Sequence, residues 1–318
     1  MQNRVFTIII FILSILFSLV IIEFFLVFKN LNMKNYEVEM WKYAKNLKQI
    51  SKNNVLGHEH IPNTSKKLQS VDININSLGF RGNNDFNLDG NKKKLLILGS
   101  SISLGWGVDE ELIFSSLLQN KISDEYVVFN AGIGNYNARR YVELFLSKYK
   151  FLNPDIIIIQ YFLNDSEKLY LKNSNWFLKN SQLAVLLWNV FNNFSYMNNS
   201  DTLLNYYKEI YDRKYIGFQE MQRSLEDITI YSKDSKVPIY FMITPDLNDL
   251  ENYKYKFIHD IMEKEAIAKN LIFLDPLEEF LKKGKNIDFK VLEGDPHPNE
   301  EGHKILADFL YKNIFEDK

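Results

Sequence analysis

The sequence predicts an α/β protein, a three-layer α/β/α sandwich around a parallel sheet, preceded by one N-terminal transmembrane helix. Three observations carry this expectation. From Lys94 onward, short apolar runs that stop at glycine or asparagine alternate with helical stretches, the pattern of repeated βα units. The run Ile156 to Ile159 has no polar alternation, as a strand covered on both faces requires. Val5 to Ile22 is apolar except for Thr7, Ser14 and Ser18, which is long enough to cross a bilayer.

Taken in order, residues 1–30 read as an anchor. The apolar run continues through Phe24 to Phe28 past a single Glu23, and no Ala-x-Ala pattern follows, so an uncleaved helix is expected. Glu23 lies near the far end of the span, where headgroups solvate it. Arg4 stands before the span and Lys29 and Lys34 after it, so charge does not decide the orientation. Residues 31–91 form a polar extension expected to pack on the catalytic domain. Met40, Tyr43, Leu47 and Ile50 give Val38 to Ile50 a helical spacing. His58-Glu59-His60 reads as a loop with too few ligands to fix a metal, and structural or solvent-exposed roles are expected. Val71 to Asn76 alternates with period two, a half-buried strand that ends in a glycine-punctuated turn.

Residues 92–318 carry the βα pattern. Strands are expected at Leu95 to Leu98, Tyr126 to Asn130, Pro154 to Tyr161, Val237 to Ile243 and Leu271 to Leu274. Helices are expected at Leu112 to Ile122, Ala138 to Tyr149 and Tyr255 to Lys269. Residues 166–236 include an aromatic-rich helical insertion, too short in its apolar core to cross a membrane, that packs on the sheet edge and can shape a pocket. With 318 residues, 46% hydrophobic and 25% charged, the chain buries a sizeable core. A net charge of −2 without a dense basic stretch argues against a nucleic-acid partner. The absence of cysteine excludes disulfides, thiolate metal sites and cysteine nucleophiles.

Three stretches carry chemistry. Gly99-Ser100-Ser101 ends the first strand of the βα series, where active sites of open α/β sheets lie. Asp295 and His297 each precede a proline, which favours extended backbone, and residues two apart then project to one side, so the carboxylate can hold the ring. Pro298 suits the first position of a helix whose apolar stripe is Ile305, Leu306, Phe309, Leu310 and Ile314. Serine, histidine and aspartate together permit acyl transfer: the histidine takes the hydroxyl proton and the aspartate fixes its tautomer. Oxyanion donors are available at the Ser101 amide, the turn Gly132 to Asn135 and the Asn164 side chain. Ser103 is a poor rival nucleophile, and His303, in register with Leu306 and Leu310, reads as a packed helix residue.

Gly99-Ser100-Ser101, Asn130-Ala131-Gly132-Ile133-Gly134-Asn135-Tyr136-Asn137, Asn164-Asp165 and Asp295-Pro296-His297-Pro298-Asn299, in this order, resemble the four blocks of the SGNH hydrolases, or GDSL-like acylhydrolases. The likeness covers about Asn76 to Phe315, and the lead-in Asn76 to Arg81 is similar to that of membrane-anchored bacterial members. It implies a flavodoxin-like sandwich and a serine esterase or deacylase for small acyl esters, acetyl foremost, of a carbohydrate or cell-envelope glycan. Ser101 is the implied nucleophile, His297 the base, Asp295 its partner, and Gly134 and Asn164 the oxyanion donors, with no metal or cofactor. A catalytic domain on the periplasmic or extracellular side is implied, with the membrane and a small-molecule or glycan ester as partners. Three departures stand out. Ser100 replaces the family's aspartate, the acid stands two residues before the histidine, and a strict count from Asn130 puts the oxyanion position on Asn135 rather than Gly134. An O-acyltransferase of the same fold and an impaired carbohydrate-binding protein are the alternatives.

Overall fold

The computed structural model describes residues 2–83, 90–170, 176–193, 202–248, 250–283 and 287–316. Helix α1 (Gln2–Lys29) is followed by α2 (Tyr36–Leu47) and two hairpins, β1 (Lys48–Ile50) with β2 (His58–His60), and β3 (Thr64–Leu68) with β4 (Val71–Ile75). The βα series then runs β5 (Lys93–Leu98), α3 (Ser101–Leu104), α4 (Phe114–Ile122), β6 (Tyr126–Asn130), α5 (Ala138–Leu144) and β7 (Ile156–Phe162). Four helices follow: α6 (Trp176–Asn180), α7 (Gln182–Asn193), α8 (Thr202–Ile210) and α9 (Ile216–Ser235). The chain finishes with β8 (Ile239–Thr244), α10 (Lys256–Ala268), β9 (Ile272–Leu274), α11 (Leu277–Lys283) and α12 (Glu300–Ile314).

The central sheet has the order β6-β5-β7-β8-β9 with every pairing parallel. Numbered within the sheet this is 2-1-3-4-5, the flavodoxin-like order expected. Every residue of β7 and β8 is buried, which is why their sequences lack alternation. Helix α4 packs with α12, and α5 with α9, so the sheet is covered on both faces. At about 1.5–3 kcal/mol for each large apolar side chain removed from water, these strands dominate the core. The order reverses at β5, so the loops after β5 and β7 open into the crevice where such folds bind ligands.

Several boundaries differ from expectation. The helix predicted to Ile50 stops at Leu47 because Lys48–Ile50 pairs with His58–His60, so His58-Glu59-His60 is a strand and not a loop. A short helix, α3, starts at Ser101 directly after β5, well before the helix expected from Leu112. Pro298 precedes α12 rather than starting it: Asn299 caps the helix, its side chain accepting the Gly302 amide at 3.1 Å.

The extension has its own small core, formed by Tyr43, Leu47, Leu68, Ile73 and Ile75 against Leu104 and Trp106 from the segment after Ser101. Buried Arg81 ties the two together: Nε donates to the Leu104 carbonyl at 3.2 Å and Nη2 to that of Asp72 at 3.0 Å. The segment expected on the sheet edge divides. Helix α9 is the crossover helix covering the sheet, whereas α7 packs on α1 and α2. Glu23 accepts from Ser181 Oγ at 2.8 Å and from the amides of Gln182 at 2.8 Å and Leu183 at 3.0 Å, completing the first turn of α7. Among the described residues, the helix spanning Arg4–Asn32 is long and apolar enough to cross a membrane.

Candidate active site

Ser101 is placed by a strand that cannot continue. A Cβ on Gly99 would lie 2.2 Å from Ser103 Oγ and 2.9 Å from the Gln160 carbonyl, so only glycine lets the chain turn there. Ser103 is wholly buried and donates to Gln160 Oε1 at 3.0 Å, and Gln160 donates onward to Thr244 at 3.0 Å. This chain staples the loop to β7 and β8 and leaves Ser103 no path to a substrate. Ser101 stands at the first position of α3, half-buried and facing the pocket.

His297 meets it from the opposite side. His297 Nε2 lies 2.7 Å from Ser101 Oγ, and Nδ1 is in short contact with Asp295 Oδ1. The same carboxylate oxygen accepts the His297 backbone amide at 3.0 Å, which fixes the two-residue spacing. Gly294 at φ +76° supplies the turn before Asp295, and Asn299 Nδ2 donates to the Asp288 carbonyl at 2.7 Å, holding the loop to α12. Asp295 and His297 are both buried, so their attraction is little screened.

The turn Gly132 to Asn135 meets the pocket at Asn135 and not at Gly134. Gly134 does not reach the pocket: it is buried, and its amide donates to Tyr43 Oη at 3.0 Å. Asn135, next in the chain, is exposed and lines the pocket with φ +63°, a left-handed conformation that asparagine tolerates. Asn164 is exposed at the end of β7 and lines the same pocket. Asp165 holds its loop, with Oδ2 accepting the Phe162 amide at 3.0 Å. Burial pushes the Asp165 carboxyl well above its usual range. Ser100 is buried beside the pocket, its carbonyl accepting the Leu104 amide at 3.0 Å.

The pocket has a volume of about 140 Å³, and its apolar walls are Tyr36 and Met40 of α2 together with Phe162 and Leu169. Tyr36 lies against the His297 imidazole, the ring centroids 5.9 Å apart. The extension is thus a wall of the site. The sequence showed the apolar stripe of α2 but not what it faces.

Behind the turn lies a cluster that includes His58 and His60, which the sequence placed in a loop. His60 Nδ1 lies 2.9 Å from the Gly79 carbonyl and Nε2 2.6 Å from Tyr43 Oη. Lys48 Nζ donates to the Gly134 carbonyl at 2.9 Å, and Arg140 Nη1 to that of Asn135 at 3.2 Å. Burial pulls His60 down to about 3, His58 to about 2 and Lys48 to about 7; nearby cations act in the same direction. No group of three histidines or carboxylates able to hold a metal occurs among the described residues.

No protein-family model matches the chain. No curated protein sequence matches it either. Similar solved structures include the acetyl xylan esterase AlAXEase, with TM-score 0.45 and 16% identity, covering 70% of this chain and 100% of that one. TesA gives TM-score 0.46 and 14% identity, covering 70% and 98%. A catalytic mutant of Axe2, an acetylxylan esterase from Geobacillus stearothermophilus, gives 0.47 and 18%, covering 71% and 95%.

Proposed function

We propose that this chain is a serine ester hydrolase of the SGNH type, acting on small acyl esters and held to a membrane by α1. The observation that carries the reading is Ser101 Oγ 2.7 Å from His297 Nε2, with Asp295 on the other ring nitrogen. Ser101 Oγ attacks the ester carbonyl as its proton passes to Nε2. The tetrahedral oxyanion is held by the Ser101 and Asn135 amides and by Asn164 Nδ2, the Asn135 amide taking the role expected of Gly134. His297 then protonates the leaving alkoxide, and water, deprotonated by the same nitrogen, releases the acid. Asp295 stabilises the imidazolium and keeps the ring in the tautomer that presents Nε2.

A pocket of about 140 Å³ walled by Tyr36, Met40, Phe162 and Leu169 suits an acyl group of acetyl size. The leaving alcohol is assigned to a carbohydrate or cell-envelope glycan, with the catalytic domain outside the cytoplasm. A second reading is an O-acyltransferase, in which a glycan hydroxyl replaces water in the second half-reaction. It is favoured by a second cavity of about 940 Å³ that shares Asn135 with the pocket and has room for an acceptor.

The test is hydrolysis of p-nitrophenyl acetate by the full chain in detergent, with fluorophosphonate labelling of Ser101. Turnover and labelling, both absent in Ser101→Ala, support the enzyme. A folded protein that shows neither is a binding protein. Transfer of the acetyl group to an added oligosaccharide separates transferase from hydrolase.

A further inference from the structure

The cavity on the far side of Asn135 has a chemistry of its own. It is a groove of about 940 Å³ between α2, the β1–β2 hairpin and the α6–α7 pair. Lys45, Lys48, Arg140 and Lys179 line it, and among its described residues there is no aspartate or glutamate. The chain as a whole has slightly more acidic than basic residues, 40 against 38, so a wall of one sign is a local feature.

Two of these cations lie deep. Arg140 is 5% exposed, and Lys48 is half-buried with its ammonium between the Gly134 carbonyl at 2.9 Å and His58 Nε2 at 3.2 Å. Their hydrogen-bond partners are the Gly134 and Asn135 carbonyls and, for Lys48, His58 Nε2; among the described residues neither cation pairs with a carboxylate. Two desolvated like charges side by side disfavour the folded state, and an anion set between them removes that cost. Carbonyl dipoles offset it only in part. Burial first, and then the neighbouring Arg140 charge, bring the Lys48 ammonium down to about 7.

The rest of the lining suits a sugar. Trp41 is fixed by its indole N–H donating to the Leu178 carbonyl at 2.7 Å, and Trp188, 47% exposed, offers a second flat face. Such faces accept the C–H side of a pyranose ring, while Gln49, Asn54 and Asn180 bring amides for its hydroxyls.

We propose that this groove is a subsite for an acidic saccharide, in which the sugar portion of the ester carries a carboxylate or phosphate that docks on Lys48 and Arg140. The proposal rests on the esterase reading only in placing the reacting ester at Ser101. Asn135 borders both cavities, so the acidic residue lies close to the acylated one along the saccharide.

The test is isothermal titration of the full-length Ser101→Ala protein in detergent with trigalacturonic acid, xylotriose and inorganic phosphate. Trigalacturonate is expected to bind roughly tenfold or more tightly than xylotriose, and less tightly as salt rises. Lys48→Met and Arg140→Gln should each lose roughly tenfold for the acid and little for xylotriose. Both residues also hold the turn, so Lys45→Glu and Lys179→Glu at the groove are made in parallel. They should weaken only the acidic ligand. Phosphate displacing the acid more effectively than monomeric galacturonate assigns the anion as phosphate, and the reverse assigns it as carboxylate.

Equal binding of acidic and neutral trisaccharides, or charge reversal without effect, overturns the subsite. Fluorophosphonate labelling of the wild type keeps the two ideas apart. Labelling without acid preference removes the subsite and leaves the triad, while acid preference without labelling does the opposite.

Discussion

Tyr43 Oη accepts the Gly134 amide at 3.0 Å and lies 2.6 Å from His60 Nε2, so a helix of the N-terminal extension holds the turn that presents Asn135 to the pocket. The donor sequence is closed: Gly134 N–H to Tyr43, Tyr43 O–H to His60 Nε2, and His60 Nδ1–H to the Gly79 carbonyl at 2.9 Å. Tyr43→Phe keeps the ring but leaves a buried amide and a ring nitrogen unpaired. A stability loss of about 1–3 kcal/mol is expected. Esterase activity should fall in proportion to how far the turn drifts. Thermal unfolding in detergent measures the first effect, and an unchanged midpoint with unchanged activity would show that Tyr43 only fills space.

In the proposed mechanism Ser101, His297 and Asp295 act as a unit, so Ser101→Ala and His297→Ala should each lower turnover of p-nitrophenyl acetate thousands-fold or more. Asp295→Asn should behave similarly, since an amide at that position stabilises the wrong tautomer of His297. Full activity in either of the first two variants removes the triad. Equal folding of all three by near-ultraviolet circular dichroism is the control.

Asn164 has a separable role. Its side chain lines the pocket, and its carbonyl accepts the Glu167 amide at 2.9 Å, a bond that substitution of the side chain leaves in place. Asn164→Ala should therefore cost roughly 100-fold in kcat with the unfolding midpoint nearly unchanged. An equal loss of stability and activity would make Asn164 a strand-end cap rather than an oxyanion donor.

How much was readable in advance follows from the range of each interaction. The strands were legible because Leu95 to Leu98 and Ile156 to Ile159 are buried on both faces, and burial on both faces removes polar residues from the sequence itself. Asp295 and His297 were legible because two prolines and Gly294 constrain a few consecutive residues. The contribution of α2 was not legible. Its amphipathic spacing says that one face is covered, but Tyr43 meets Gly134 across 91 positions, and nothing local specifies that partner. That Asn135 and not Gly134 lines the pocket depends on φ +63° at an asparagine, a conformation that residue type permits without announcing. His58-Glu59-His60 was placed in a loop because three residues are too few to show a period, and its pairing with Lys48–Ile50 is what makes it a strand.

Acid should unfold this protein early, for a reason visible at two histidines. His60 donates through Nδ1 and accepts at Nε2, and His303 accepts the Phe114 amide at Nδ1 over 3.1 Å, so each ring fits its site only when neutral. Burial holds both at about 3, against an ordinary value near 6.5 in the unfolded chain. Below pH 6.5 the unfolded state takes up protons that the folded state refuses. Stability is therefore complete above that pH and declines as pH falls toward 3. The slope is about 1.4 kcal/mol per pH unit for each histidine. Urea unfolding at pH 7 and pH 5 should show this decline, and identical midpoints would mean that both rings protonate without leaving their partners.

The last prediction concerns the joint between α1 and the rest of the chain. Glu23 is the one carboxylate in an otherwise apolar stretch, and it accepts Ser181 Oγ and the amides of Gln182 and Leu183, so it caps α7 from 158 residues away. Asn30 Nδ2 adds a bond to Gln182 Oε1 at 2.8 Å. Glu23→Ala removes the acceptor for two first-turn amides, with an expected cost of about 0.5–2 kcal/mol confined to this joint. Amide hydrogen exchange on the full chain in detergent should then show faster exchange in Gln182–Asn193. Hydrolysis of p-nitrophenyl acetate should be unaffected, since Glu23 does not line the pocket. Unchanged exchange in α7 would mean that packing against α2 alone holds the helix, and that Glu23 is placed there only to mark the end of the apolar span.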